Sequence, residues 1–220
     1  MAFLLRVLLP DTPGSLGRLA DAIGGIGADI RSVDVVQTFT DGTVMDDMVV
    51  SIPKGVMVDS LLTAAQTIDG VLVDSVRPFS GTVDRRGQIE MLAKVAGASS
   101  NSDAIAKLID TIPYTLTSTW AILLRTDVPV QRVTASDAAP ADDGSHPAAL
   151  DIDAARILSP ENDAWLPESW TILDSSLAAA PLGKTGMVLI LGRVGGPDYL
   201  PSEVDHLGHF GTVLSRMLRD

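Results

Sequence analysis

Apolar residues recur along the first 79 positions with two different spacings, and their order predicts the elements of a fold. From Phe3 to Leu9 every second residue is apolar, which is typical of a strand with one buried face. From Leu16 to Ile26 apolar residues recur three and four positions apart, which predicts a helix that ends at Gly27. The residues between these segments therefore form a turn from a strand into a helix.

Two Val-rich segments follow and predict a β-hairpin. They run over residues 30–39 and 43–52, with Thr-Asp-Gly at residues 40–42 between them. Asp-Gly between two strand-like segments favours a tight hairpin turn. A second helix over residues 58–68 and a last strand over residues 71–79 complete the order β-α-β-β-α-β. This is the order of a ferredoxin-like domain, so the predicted fold class is α+β.

A polar segment at residues 80–87 predicts a linker, which divides the chain into domains at 1–79 and 88–220. The second domain mixes helical and strand-like segments, and residues 135–180 give no clear order of elements. The clearest segments are predicted helices at 89–96, 104–112 and 201–218 and predicted strands at 119–124, 129–136 and 187–194.

The turn between the first strand and the first helix has the composition of a helix start. The Thr12 hydroxyl can cap the helix, and Pro13 suits the first helical position, where no N–H is needed. Gly14 lets another molecule approach the backbone closely. Any α/β fold needs such a turn, so the composition by itself does not identify a ligand site.

The same turn offers opposite charges to the two ends of a small zwitterion. The amide hydrogens of Gly14, Ser15 and Leu16 are expected to face outward at the positive end of the helix, where a carboxylate is favoured. The carboxylate of Asp11 beside them would meet an ammonium group. The sequence therefore predicts an amino-acid site at this turn.

Two segments carry a family resemblance: DTPGSLGRLADAIGGIGADI at the turn and first helix, and DGVLVDSVRPF at the last strand of the first domain. Together with the predicted order of elements they resemble an ACT domain, a small regulatory module that binds amino acids. In that family the turn and the following helix line an effector site between two modules, although many members only dimerise. By position, the ligand-facing loop here would consist of Asp11, Thr12, Pro13, Gly14, Ser15 and Leu16.

A second resemblance lies in the last third of the chain. Ala180-Pro181-Leu182 and the segment TGMVLILGRVGGPDYLPSEVDHLGHFGTVLSRML resemble the final strand and helix of a GAF domain. The resemblance implies an α/β sensory domain at 88–220, with a ligand pocket on one face of its sheet and terminal helices that pair between subunits. The residue set that binds cyclic nucleotides and a chromophore cysteine are both missing from the sequence, so the ligand of this domain stays open.

Charge and composition exclude several function classes. The chain has 28 acidic and 16 basic residues, a formal net charge of −12 that repels phosphate backbones and argues against binding of DNA or RNA. It has no cysteine, which excludes disulfides and thiol chemistry and is compatible with a reducing compartment. No export signal or membrane-spanning stretch is found, so we expect a soluble cytoplasmic protein.

Two motifs that could bind a phosphate or a metal have simpler structural explanations. The segment AAAPLGKT at 178–185 resembles a phosphate loop, but its first glycine is replaced by alanine and a strand follows instead of a helix. His206 and His209 lie three residues apart on the last helix, a spacing that can bind a metal when further ligands are present. Two histidines without a third ligand favour an exposed face or a dimer contact. No metal or cofactor is predicted.

Two further sets of residues are assigned to structure. Arg6 faces away from the apolar side of the first strand, and we predict a surface ion pair with Asp46 or Asp74 that contributes little to stability. The three tryptophans are Trp120, Trp165 and Trp170. They could line a pocket for a flat ligand, but buried aromatic packing explains them equally well.

These observations predict a regulatory sensor that is not an enzyme. It would bind an amino acid, work as a homodimer and pass its signal to a separate protein by a change in dimer arrangement. One alternative is an interaction scaffold that only dimerises. A second is an enzyme in the second half of the chain, which would gather Asp153, Glu161, Asp163 or the histidines around a substrate.

Overall fold

The chain folds as two compact units, Met1–Arg85 and Arg86–Asp220, which we call the N-terminal and the C-terminal unit. Our computed structural model describes residues 1–79, 81, 83, 85–144 and 147–218. Positions 80, 82 and 84 of the predicted linker lie outside the described residues. Position 85 begins a helix, so the end of the predicted linker is helical instead of an open link.

The N-terminal unit has the predicted β-α-β-β-α-β order, which confirms the ferredoxin-like α+β fold. Its sheet is antiparallel, with strand order β2-β3-β1-β4. The elements are β1 (Ala2–Pro10), α1 (Ser15–Gly25), β2 (Asp29–Thr38), β3 (Thr43–Ser51), α2 (Val58–Gln66) and β4 (Leu72–Pro78).

Alternation along β1 places its apolar side chains on the face that the two helices cover. Leu5 and Val7 belong to one buried cluster with Leu19 and Ile23 of α1 and Leu61 of α2. Burial of such side chains is the main favourable contribution to folding. The helical spacing recognised in the sequence is therefore the buried stripe of each helix.

The predicted hairpin between β2 and β3 closes at the Asp-Gly pair. Gly42 has φ 84, a left-handed conformation that favours glycine. Asp41 accepts hydrogen bonds at Oδ1 from the Thr43 amide at 3.0 Å and the Thr43 hydroxyl at 2.6 Å. These bonds hold the turn of the hairpin, in which Thr38 of β2 lies opposite Val44 of β3.

The C-terminal unit contains a five-stranded antiparallel sheet with strand order β6-β5-β9-β8-β7. Three of its elements fall in the segment 135–180 that the sequence left without a clear order: β7, α5 and β8. The elements are α3 (Arg85–Ala96), α4 (Asn101–Thr115), β5 (Trp120–Arg125), β6 (Gln131–Ala135), β7 (Arg156–Leu158), α5 (Glu168–Thr171), β8 (Ser176–Pro181), β9 (Met187–Arg193) and α6 (Pro201–Met217).

The central strands β5 and β9 are buried on both faces, which explains their almost continuous apolar sequence. Leu189 and Leu191 pack in one cluster with residues of α3, α4 and α6. Val188 and Ile190 pack in a second cluster on the opposite face.

The second cluster contains the tryptophans and supports the packing explanation for them. Trp120 and Trp170 are almost fully buried, with ring centroids 6.0 Å apart in an edge-to-face arrangement. Trp165 meets Trp170 at 6.3 Å in the same way. None of the described helices is both long enough and apolar enough to cross a bilayer.

Candidate functional site

The turn that precedes α1 begins the helix in a different way from the one expected. Gly14 occupies the N-cap position with φ 90, and no side chain caps the helix. The prediction that Thr12 caps α1 and that Pro13 is its first residue is therefore wrong, since α1 begins at Ser15. The left-handed backbone of Gly14 explains the difference. Glycine adopts this conformation without strain, so Gly14 becomes the N-cap and the helix begins at the next residue.

Backbone hydrogen bonds hold this turn and use one of the three amides predicted to be free. The Asp11 amide donates to the carbonyl of Gly42 at 2.9 Å, and the Ser15 amide donates to the carbonyl of Thr12 at 3.1 Å. Ser15 is also buried, so its amide is not available to a ligand. The amides of Gly14 and Leu16 have no hydrogen-bond acceptor among the described residues, and both residues are exposed.

Three side chains form a hydrogen-bonded chain over this helix start. The hydroxyls of Thr12 and Ser15 share a hydrogen bond of 2.8 Å, and Arg18 Nη2 donates to Ser15 Oγ at 3.2 Å. A Cβ on Gly14 would lie 3.8 Å from Arg18 Nη1. A guanidinium group therefore lies beside the two free amides, and both favour an anion.

Arg18 is a candidate ligand residue that the sequence analysis missed. Its position three residues after Ser15 places it on the same face of α1, one turn along the helix. That spacing could have identified it, but the sequence analysis treated the amides and Asp11 as sufficient.

The acidic part of the site has one exposed and one buried carboxyl group. Asp11 is exposed, and its carboxylate has no hydrogen-bond or ion-pair partner among the described residues. Asp46 lies opposite Val7 on the helix-covered face of the sheet and is 2% exposed. Its Oδ1 atom is buried without a hydrogen-bond partner in the described part of the chain.

Burial, together with the negative charges of Asp47, Asp34 and Asp11, raises the pKa of Asp46 to about 6. The folded state therefore binds a proton more readily than the unfolded chain between about pH 4 and pH 6. Stability from this group is complete below that window and is lost as the pH rises through it.

Replacement of Asp46 by Asn is expected to stabilise the protein at pH 7.5. An amide cannot ionise, so the variant avoids the cost of a buried charge and should gain about 2 kcal/mol in the free energy of unfolding. Urea unfolding at pH 7.5 and pH 4.5 measures this gain, which should fall to about a third at the lower pH because the carboxyl group of the folded protein is then largely protonated. An equal effect at both pH values would contradict the assigned ionisation.

Arg6 forms a buried ion pair with Asp47, a partner that the sequence analysis did not name. Its Nε and Nη2 atoms donate to the two carboxylate oxygens of Asp47 at 2.7 and 2.8 Å. The side chains of Arg6 and Asp47 are 1% and 3% exposed. The prediction that the ion pair of Arg6 lies on the surface is wrong, because the face of β1 opposite to the helices is also covered.

In the C-terminal unit, the carboxylate of Asp163 is held by hydrogen bonds that stabilise the fold. It accepts hydrogen bonds from Arg156 at 2.6 and 2.9 Å, from the Ser159 amide at 3.1 Å and from Trp165 Nε1 at 3.2 Å. The bonds from Arg156 are the main cause of a lowered pKa of Asp163. This carboxylate stays ionised and holds the loop that follows β7.

The histidine pair has no metal site around it in the parts of the chain that the structure describes. No group of three His, Cys, Asp or Glu residues there is arranged to hold a metal ion. His206 packs edge-to-face against Phe210 at 4.9 Å, and burial lowers its pKa.

No family model matches the chain, and no curated protein matches it in sequence. Three solved structures show limited similarity. An unknown protein from Galdieria sulphuraria is 14% identical over 98% of this chain and 90% of that chain, with a TM-score of 0.33. A protein assigned as a glycine cleavage system transcriptional repressor is 10% identical over 97% and 91%, with a TM-score of 0.29.

The third is a formyltetrahydrofolate deformylase from Pseudomonas putida KT2440, which is 8% identical with a TM-score of 0.30. The alignment covers 43% of this chain and 37% of the length of the deformylase. Similarity at these levels transfers neither a fold nor a function. The fold assignment therefore rests on the strand order and connections of the N-terminal unit itself.

Proposed function

We propose that this protein is a regulatory sensor that binds an amino acid at the turn Asp11–Leu16. The ligand carboxylate would accept hydrogen bonds from the amides of Gly14 and Leu16 and from the guanidinium of Arg18. Its ammonium group would pair with the carboxylate of Asp11. The C-terminal unit would act as a second sensory module, as its GAF-like sequence implies.

One observation carries this proposal: the exposed turn and the start of α1 hold two amides, a guanidinium and a carboxylate, and the amides and the carboxylate have no hydrogen-bond partner among the described residues. Opposite charges at this turn suit the two ends of a zwitterion, whereas a simple anion would be repelled by Asp11. Asp46 adds negative potential near the predicted ammonium position, since it interacts electrostatically with Asp11.

Support for a homodimer comes from the edges of the four-stranded sheet. Strands β2 and β4 are its edge strands, and they expose the apolar side chains of Val35 and Leu72 by 59% and 64%. An exposed strand edge with apolar side chains can pair with another chain. In our proposal the ligand favours one dimer arrangement, and a differential affinity worth about 1–3 kcal/mol is sufficient for such coupling.

The Asp11→Asn variant tests the ligand site. It removes the charge that would pair with the ligand ammonium and keeps the size of the side chain, so affinity should fall about tenfold. Thermal shift with each common amino acid identifies the ligand, and isothermal titration calorimetry then measures affinity in wild type and variant. The N-acetyl derivative of that amino acid should bind poorly to both proteins.

Asp21→Asn is the matched control, because Asp21 is an exposed aspartate of α1, the helix that follows the turn, and the charge change is identical. The affinity of this variant for the amino acid should stay within about twofold of the wild-type affinity. Equal losses in both variants would show a general charge effect and contradict the proposed site. If no amino acid stabilises the protein, the interaction scaffold is favoured instead.

A further inference from the structure

The C-terminal unit contains a cavity of about 640 Å³ that the proposed sensor function does not use. Its lining residues come from α4, the end of β5, the turn between β8 and β9, and α6. This volume is typical of small-molecule sites, which measure about 300–1,000 Å³.

The cavity gathers positive charge on a chain with a net charge of −12. Arg125, Lys184 and Arg216 line it, and no acidic residue lines it in the part of the chain that the structure describes. These three cations have no ion-pair partner among the described residues. In contrast, Lys107 and Arg193 of the same unit are paired with Asp103 and Glu203. The described residues therefore do not neutralise these three cations, and an anion would be attracted to them.

Long-range contacts in the fold place the three cations together. Arg125 ends β5 and lies opposite Met187 of β9, and Lys184 lies in the turn between β8 and β9. That turn closes with a 2.8 Å hydrogen bond from the Leu182 amide to the Met187 carbonyl. Arg216 belongs to the last turn of α6.

Gly183 brings the turn directly against α6. Its φ is 54, and a Cβ at this position would lie 2.6 Å from the Cβ of Ser215, the residue before Arg216. A larger residue would push the turn away from the helix. The glycine therefore keeps Lys184 and Arg216 on walls of the same cavity.

The first residue of a 15-residue helix and three apolar side chains complete the lining. Asn101, the first residue of α4, adds a polar group to the wall. Ile105, Met187 and Leu218 supply the apolar part of the wall. A ligand that matches this cavity has a charged end and an apolar body.

We infer that this cavity binds a small organic phosphate, namely a phosphomonoester with an apolar or aromatic body. A phosphate dianion matches several cations better than a single carboxylate does, and the arginine fork suits phosphate oxygens. The site is not a phosphate loop: Lys184 belongs to a turn between antiparallel strands, and no helix follows it. Recognition would instead depend on side chains from three segments.

Isothermal titration calorimetry on the full chain tests this inference with adenosine 5′-monophosphate, phenyl phosphate, pyridoxal phosphate, adenosine, benzoate and inorganic pyrophosphate. At least one phosphomonoester should bind with a Kd below about 1 mM, and adenosine and benzoate should bind much more weakly. If no phosphomonoester binds in that range, the inference is overturned. Pyrophosphate binding as tight as that of the phosphomonoesters would overturn the assignment to organic phosphates.

Two lysine variants locate the binding. Lys184→Gln should weaken binding of that phosphomonoester about tenfold, because a charge-assisted contact is lost. Lys94→Gln removes the same charge from an exposed position on α3 outside the cavity and should have no effect. Equal weakening in both variants would overturn the site, and unchanged urea midpoints verify that both proteins are folded. Asp11→Asn should leave phosphate binding intact, which separates this inference from the proposed amino-acid site.

Discussion

Replacement of Asp47 by Asn is expected to lower the free energy of unfolding by about 3 kcal/mol at pH 7. The variant removes the carboxylate that accepts two hydrogen bonds from Arg6, and both side chains are buried. A charged guanidinium that loses such a partner inside a protein keeps its desolvation cost and loses much of the compensating attraction. Urea unfolding of wild type and variant measures the loss.

Two comparison proteins make this test specific. Asp46→Asn is the same substitution at the neighbouring position of β3, and it is expected to act in the opposite direction because Asp46 has no partner for its buried oxygen. The double variant Arg6→Met with Asp47→Leu removes both charges and should recover most of the lost stability. A loss below about 1 kcal/mol for Asp47→Asn, as for an exposed ion pair, would contradict the burial of this pair.

Gly192→Ala is expected to destabilise the C-terminal unit by about 3 kcal/mol or more. Gly192 of β9 lies directly opposite Trp120 of β5, and the indole ring covers the glycine so closely that an added Cβ would overlap it. Trp120 is itself fixed by Trp170, so its ring has little room to move. Thermal unfolding followed by tryptophan fluorescence measures the loss.

Gly24→Ala is the matched control for this substitution. Gly24 lies in α1, and no atom lies within 4 Å of the added Cβ. The variant should therefore be neutral or gain about 0.5–1 kcal/mol, because alanine restricts the unfolded chain and favours the helix. If Gly192→Ala unfolded at the same temperature as Gly24→Ala, the close approach of Trp120 and Gly192 would be refuted.

The candidate ligand site shows where sequence reasoning succeeds and where it stops. The strand-turn-helix element and the exposed position of Asp11 follow from local sequence, since apolar spacing and turn residues act over a few positions. Local sequence does not show whether the Ser15 amide is free, because this amide donates a hydrogen bond to the Thr12 carbonyl that forms only in the folded turn. Arg18, in contrast, could have been found from its helical spacing to Ser15.

Buried charges were the least predictable feature of the chain. The alternation along β1 correctly places Arg6 on the face opposite to Leu5 and Val7, but alternation cannot tell whether that face is covered. Arg193 is a second case. It is fully buried at the end of an apolar strand, donates to Glu203 at 2.7 Å and lies over the ring of Tyr199 at 4.1 Å.

The sequence by itself determined the order of elements in the N-terminal unit, the Asp-Gly hairpin and the apolar central strand β9. Only the tertiary structure decided that Arg6 and Asp47 are paired inside the protein and that Arg125, Lys184 and Arg216 surround one cavity. The physical reason is range. Periodicity and turn geometry depend on neighbouring residues, whereas the cost and partner of each charge depend on groups that folding brings together from distant parts of the chain.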